Sequence, residues 1–273
     1  MTVPHNNLQF TSNHLTNING SQSIVPEKSA PSGISVLVIG AGVAGLMASL
    51  ECWRKGHEVR VIEKSATRIL SGKSNATSGC KPYHLTKNPG DSFTIGPTAI
   101  RAVQQWPDMA EENERIADSP WISWHKINGE RISGPEPLRF NPTVNSSGQD
   151  EAPHRVYRHS RPAFHKMLSD QAERIGIIVE YGRRVTGYYE VDDKAGVTLE
   201  DGERIESDMV IAADGIGSKS SMVTMGRELR ARSSGWAMYR AAFPVELAMV
   251  DPMVRERFQL LEDGTSVMEL WMG

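Results

Sequence analysis

The sequence predicts an α/β fold: a Rossmann-type nucleotide-binding domain carrying an inserted, mostly β domain. Three observations predict it. Residues 34–63 read as strand, glycine-rich turn, helix and second strand in about thirty residues, the size of a βαβ unit. Between residues 121 and 132 the alternating WISWHKINGERI, centred on Asn128-Gly129, signals a hairpin and a change of architecture. Strand signals then return up to the apolar run MVIAA before Asp214, so the nucleotide-binding sheet resumes after the insertion.

Composition bounds the function. A chain of 273 residues, 39% hydrophobic, can bury one large core or two modest ones. A formal net charge of −3 and a pI near 6.3 offer no general attraction to nucleic acid or anionic lipid. Cys52 and Cys80 are too few for a disulfide framework and lack the paired spacing of a zinc site, which fits a reducing, cytoplasmic setting. The first thirty residues, rich in Asn, Ser and Thr, lack the basic start and apolar stretch of a secretory signal, and 1–32 reads as a disordered tail. The apolar run 34–50 approaches the length of a membrane span, but the interior glycines Gly40, Gly42 and Gly45 argue for a turn and helix.

Taken in order, residues 34–39 are a β-branched apolar run, as in a central parallel strand buried on both faces. A helix follows over 43–55, Gly56 ends it, and 57–63 is the second strand. The polar stretch from Glu63 to Asp91 reads as a loop over a ligand. Residues 93–95 form a strand, and Pro97 opens a helix toward Trp106. After the hairpin, 134–153 is a loop rich in Pro, Gly, Ser and Asn, and 155–158 resumes a strand. A helix over 162–175 shows Phe164, Met167, Leu168, Ala172 and Ile175 on one face, closed by Gly176. Strands are expected at 177–181, 185–190, 197–199, 208–213, from 236 to 245, and from 265 to 272.

Gly40, Gly42 and Gly45 stand in G-x-G-x-x-G spacing where the first strand turns into the helix. Gly40 permits the tight turn, Gly42 lets backbone approach a pyrophosphate, and Gly45 lets helix and sheet pack closely. Glu63 lies 18 residues beyond Gly45, at the end of the second strand. A carboxylate there accepts from ribose hydroxyls and repels a 2′-phosphate, favouring the adenosine of FAD or NAD over NADP. The bland alternative is a glycine-rich turn with an incidental surface Glu. Asp214-Gly215 puts a carboxylate and an approachable backbone at the carboxyl edge of the sheet, where ligands bind. The Asp-Gly pairs at 201–202 and 263–264 have no such strand behind them and read as plain turns.

Three segments together, VLVIGAGVAGLMASLECWRKGHEVRVIEK, SRPAFHKMLSDQAERIGIIVEYG and SDMVIAADGIGSKS, resemble those of single-component flavoprotein monooxygenases that hydroxylate aromatic rings. The class includes salicylate hydroxylase and para-hydroxybenzoate hydroxylase, and the resemblance is strongest to its salicylate-hydroxylase-like fungal branch. It implies a glutathione-reductase-like FAD-binding domain over 33–115 and 154–228, with a partial substrate-binding domain over 116–153 and 229–273. It further implies that Asp214-Gly215 lies near the FAD pyrophosphate and the transient nicotinamide nucleotide. Arg161 would contact the flavin nucleotide, with Arg158 the competing assignment, and Ala76 would contact FAD through backbone. Arg240 matches a substrate-side arginine that holds a phenolate or carboxylate; a strand arginine paired with a neighbouring acid is the alternative.

The activity implied is NAD(P)H- and O2-dependent hydroxylation of a small phenolic substrate through a flavin C4a-hydroperoxide, in secondary metabolism or aromatic catabolism. In such enzymes the cofactor carries the chemistry and the protein binds, orients and excludes water. The family's later Gly-Asp motif is missing, since Gly90-Asp91 lies far upstream, so the chain reads as a C-terminally truncated member. The alternatives are another Rossmann oxidoreductase using FAD or NAD, and a non-catalytic nucleotide-binding remnant. Other chemistries fit less well. Gly72-Lys73-Ser74 has Thr67 where a P-loop needs its first glycine, and His154, His159 and His165 share no face for a metal.

Overall fold

The computed structural model describes residues 13–16, 22–68, 92–140, 154–230, 232–237, 245–258 and 261–272. Within the segment read as a tail, strands β1 (Asn13–Thr16) and β2 (Gln22–Val25) pair antiparallel. The βαβ unit follows as β3 (Ser35–Ile39), α1 (Val43–Arg54) and β4 (Glu58–Glu63). Next come β5 (Ser92–Ile95), α2 (Pro97–Gln104), α3 (Pro107–Ile116), β6 (Trp121–Lys126), β7 (Arg131–Pro137), β8 (Arg139–Phe140), β9 (His154–Arg155) and β10 (Tyr157–Ser160). After α4 (Arg161–Arg174) come β11 (Val179–Tyr181), β12 (Val185–Val191), β13 (Lys194–Leu199), β14 (Arg204–Ser207) and β15 (Met209–Ala212). The rest is α5 (Ser221–Met225), α6 (Val245–Ala248), α7 (Pro252–Arg257) and β16 (Val267–Met272). The chain divides into two compact units, one of Met1–Leu70, Val103–Glu112 and Phe164–Ala237, the other of Ser71–Ala102, Asn113–Ala163 and Met238–Gly273.

In the first unit a parallel sheet runs β11-β4-β3-β15. From Val36 to Ile39 strand β3 is apolar because both of its faces are covered. Helix α1 packs on one face through Gly45, Leu46 and Leu50. On the other face the antiparallel sheet β12-β13-β14 closes a core of Leu37, Ile39, Ile62, Val197, Leu199 and Ile205. The return of the sheet after the insertion, expected from MVIAA, is seen in the register Met209↔Val36 to Ala212↔Ile39. Asp208 clamps that register: its carboxylate accepts from the Ser35 N–H and hydroxyl, both at 2.7 Å. Gly56 ends α1 as expected, at φ +85°. Its own N–H bonds Trp53 O and the His57 N–H bonds Cys52 O, which satisfies the last carbonyls of the helix.

The second unit holds the sheet β16-β6-β7, with β16 parallel to β6, and the pair β5-β10. The hairpin at Asn128-Gly129 is present, but its loop is not the expected two-residue turn. Gly129 N–H bonds Lys126 O, Lys126 N–H bonds Glu130 O, and only Gly129 has positive φ, at +93°. That is a three-residue loop, a type I turn followed by a left-handed glycine. The helix expected from Pro97 to Trp106 stops at Gln104, and a second helix, α3, starts at Pro107. Of the strand expected from 236 to 245, residues 238–244 lie outside the described residues, and Val245 begins a helix. Among the described residues no helix is long and apolar enough to cross a membrane.

Candidate functional site

The chemistry converges in the first unit, at the carboxyl ends of β3, β4 and β15. A cavity of about 440 Å³ opens there, lined by Gly40, Gly42, Glu63, Tyr188, Asp214 and Gly215 among others. That size suits a small-molecule or cofactor site.

The three glycines do three different things. Gly40 has φ +100°, and a Cβ on it would lie 2.7 Å from Ala213 O, so glycine is required both by conformation and by the approach of β15. A Cβ on Gly45 would lie 1.8 Å from Gly40 O: the helix sits directly on the turn. A Cβ on Gly42 would meet nothing within 4 Å, although Gly42 lines the cavity. Nothing among the described residues therefore demands glycine there, and a group approaching from the cavity would. Gly42 is also the N-cap of α1, and among the described residues no side chain caps the helix. Its first N–H groups are left to an anion, with the positive end of the helix dipole behind them.

Glu63 is half-buried, and its carboxylate braces this loop. Oε2 accepts from the Ala41 N–H at 2.9 Å, while Oε1 accepts from the Ser65 N–H at 2.9 Å and the Ser65 hydroxyl at 2.8 Å. Burial alone would raise its pKa; the bonds from Ala41 and Ser65 outweigh it and hold the carboxyl below the usual range. About four lone-pair directions are available to a carboxylate, so one remains for a hydroxyl donor. His165, on α4, steadies the loop from the other side, with Nε2 2.7 Å from Ala41 O. A carbonyl can only accept, so Nε2 carries the proton.

Beside Gly40, Asp214 leaves the end of β15, and Gly215 follows at φ +88° with open space at its Cβ position. Asp214 Oδ2 accepts from the Tyr188 hydroxyl at 2.6 Å, whereas Oδ1 is buried and has no partner among the described residues. Buried acceptors nearly always have a donor, so this oxygen points to a ligand. The other two Asp-Gly pairs behave as turns: Asp201 accepts from the Glu203 N–H at 3.0 Å and Asp263 from the Thr265 N–H at 2.9 Å. Lys64, Arg183, Arg184 and Lys219 add a basic rim, with Arg183 paired to Glu203 at 2.5 Å.

The glycine spacing, Glu63 and Asp214-Gly215 are thus brought together. Arg161 belongs to the second unit, where it is exposed with its guanidinium 5.8 Å from the Phe93 ring centroid. Arg158, in the same unit, donates to Ser92 Oγ at 2.9 Å and reaches Met268 sulfur at 3.1 Å. Ala76, Arg240 and the Gly72-Lys73-Ser74 triplet lie outside the described residues. Sequence reasoning missed His165 and Tyr188. Neither carries a local signal, because each acts on a loop more than twenty residues away in sequence.

The residues fit FAD: an uncapped helix start and a backbone open at Gly42 for pyrophosphate, one free lone pair on Glu63 for ribose, and an unpartnered acceptor at Asp214. Comparison with known proteins agrees. Residues 35–92 match the family model of the FAD binding domain. The FAD-dependent monooxygenase fsr3 of Gibberella fujikuroi is 39% identical over 243 residues, covering 88% of this chain and 43% of that protein. An FAD-dependent monooxygenase of Claviceps purpurea is 37% identical over 261 residues, covering 93% and 47%. Among solved structures, FqzB aligns with TM-score 0.56 at 29% identity over 74% of this chain and 41% of that one. CtdE in complex with FAD aligns with TM-score 0.53 at 27% identity, over 74% and 43%. The chain spans somewhat under half the length of the relatives it matches. Over that span, the chain is similar to FAD-dependent monooxygenases, and its residues 35–92 carry the match to the FAD binding domain.

Proposed function

We propose that this chain holds FAD in the cavity of its first unit and serves the NAD(P)H- and O2-dependent hydroxylation of a phenolic substrate, in secondary metabolism or aromatic catabolism. The observation that carries the reading is the lining of the cavity, which combines bare backbone at Gly42 beside an uncapped helix with Asp214, one of whose carboxylate oxygens has no partner among the described residues. The chemistry FAD supplies when bound is transfer of reducing equivalents from NAD(P)H to O2 with insertion of one oxygen atom into the ring. The protein's part is positional. Gly40 and Gly45 let β3, α1 and β15 approach closely enough to form the cradle, and Glu63 fixes the Ala41 N–H in it. Gly215 keeps the wall beside Asp214 free of side-chain bulk. Arg161 and the backbone of Ala76 are proposed as further flavin contacts, and Arg240 as the group that orients an anionic ring.

The test is to add FAD, NADH or NADPH and a panel of phenols to the purified chain under 18O2. A bound-flavin absorption spectrum and 18O in a hydroxylated phenol are the expected result. A bound nicotinamide in place of flavin, or a flavin that never responds to NAD(P)H, would overturn the reading.

A further inference from the structure

We infer that Tyr188 is a positioning residue of the nucleotide cavity: its phenol fixes one oxygen of the Asp214 carboxylate and thereby presents the other to a hydroxyl of bound FAD. The inference rests on the FAD reading above and assigns a role on strand β12, outside the glycine-rich unit.

The geometry sets the direction of the hydrogen bond. Tyr188 and Asp214 Oδ2 are 2.6 Å apart, and the phenol is the donor because an ionised carboxylate can only accept. Burial, then the Asp214 carboxylate itself, push the Tyr188 phenol far above its ordinary value, so it stays protonated and keeps donating. The ring cannot swing away. It packs against the core of Leu37, Ile39, Ile62, Val197, Leu199 and Ile205, which closes the unit beneath the cavity.

With Oδ2 occupied, Oδ1 is left buried and without a partner among the described residues, on a residue that lines the cavity. A carboxylate serving only to close a turn takes main-chain N–H groups, as Asp201 and Asp263 do. Asp214 instead draws its one donor from a strand 26 residues earlier. A free carboxylate would rotate about its last bond and exchange its two oxygens; the phenol stops that rotation. Pre-organisation of this kind raises affinity by removing an ordering cost at binding.

The test is a double-mutant cycle on FAD affinity, read by flavin fluorescence, with the 273-residue chain, Tyr188→Phe, Asp214→Ala and the pair. Phenylalanine keeps the ring that packs the core and removes only the donor. Expected is a loss of about tenfold in FAD affinity from Tyr188→Phe in the parent background, and no further loss once Asp214 is alanine. An equal loss in both backgrounds would assign Tyr188 a merely structural role and overturn the inference, as would no loss in the parent. A parent chain that takes up no FAD would remove the nucleotide reading itself.

Discussion

At the scale of single residues, Glu63 shows how one acid serves both folding and binding. Three of its lone-pair directions go to Ala41 and Ser65, so the carboxylate holds the glycine loop before any ligand arrives. Glu63→Gln would turn an amide donor toward one of those N–H groups. We expect a loss of about 1–2 kcal/mol, measured by urea unfolding at pH 7. The sign of its pH dependence follows from a folded-state pKa below the ordinary value. The stabilisation is complete above the unfolded value, roughly pH 4.5, and disappears as pH falls through the lower folded value. The gap between parent and Glu63→Gln should therefore be full at neutral pH and close in acid. The glycines, Glu63 and Asp214 were legible in the sequence because strand ends and tight turns impose local requirements. Tyr188 and His165 were not, because what they touch is decided by the packing of β12 and α4.

At the scale of elements, α1 is placed by its glycines. With Gly40 O only 1.8 Å from an added Cβ, Gly45→Ala forces α1 off the turn. Its cost should be about 3 kcal/mol, at the upper end for overpacking, with a matching drop in Tm. Gly56→Ala should be similarly costly, since a Cβ there meets Ala30 O at 2.1 Å and φ is +85°. The same balance of local and tertiary causes explains which elements could be read. Strand β3 was legible because burial on two faces leaves a continuous apolar run. Strand β14 was missed: only Ile205 and Ser207 turn inward from RIES, too short an alternation to register. Helix α3 was missed because PDMAEENERI is mostly polar, although Met109 and Asn113 are buried. The Asn128-Gly129 turn was misjudged because the pair marks a hairpin but does not set whether two or three residues make its loop.

At the scale of the whole molecule, FAD binding and substrate handling should be separable by mutation. The cavity is lined by Gly40, Gly42, Glu63, Tyr188, Asp214 and Gly215 among others, whereas Arg240 is proposed to hold the substrate. We therefore expect Arg240→Ala to reduce phenol-stimulated NAD(P)H oxidation while leaving FAD content unchanged, measured by stopped-flow absorbance and flavin content. Gly42 allows the most direct test of the central claim. Its φ of −74° suits any residue and its Cβ position is empty, so Gly42→Val should leave the fold intact. The added side chain would instead occupy the space where backbone must meet pyrophosphate. The decisive measurement is FAD titration of parent and Gly42→Val, with thermal unfolding of both in the absence of ligand. A loss of affinity of at least roughly tenfold at an unchanged unfolding midpoint is the expected result. Equal FAD affinity in the two proteins would contradict the account.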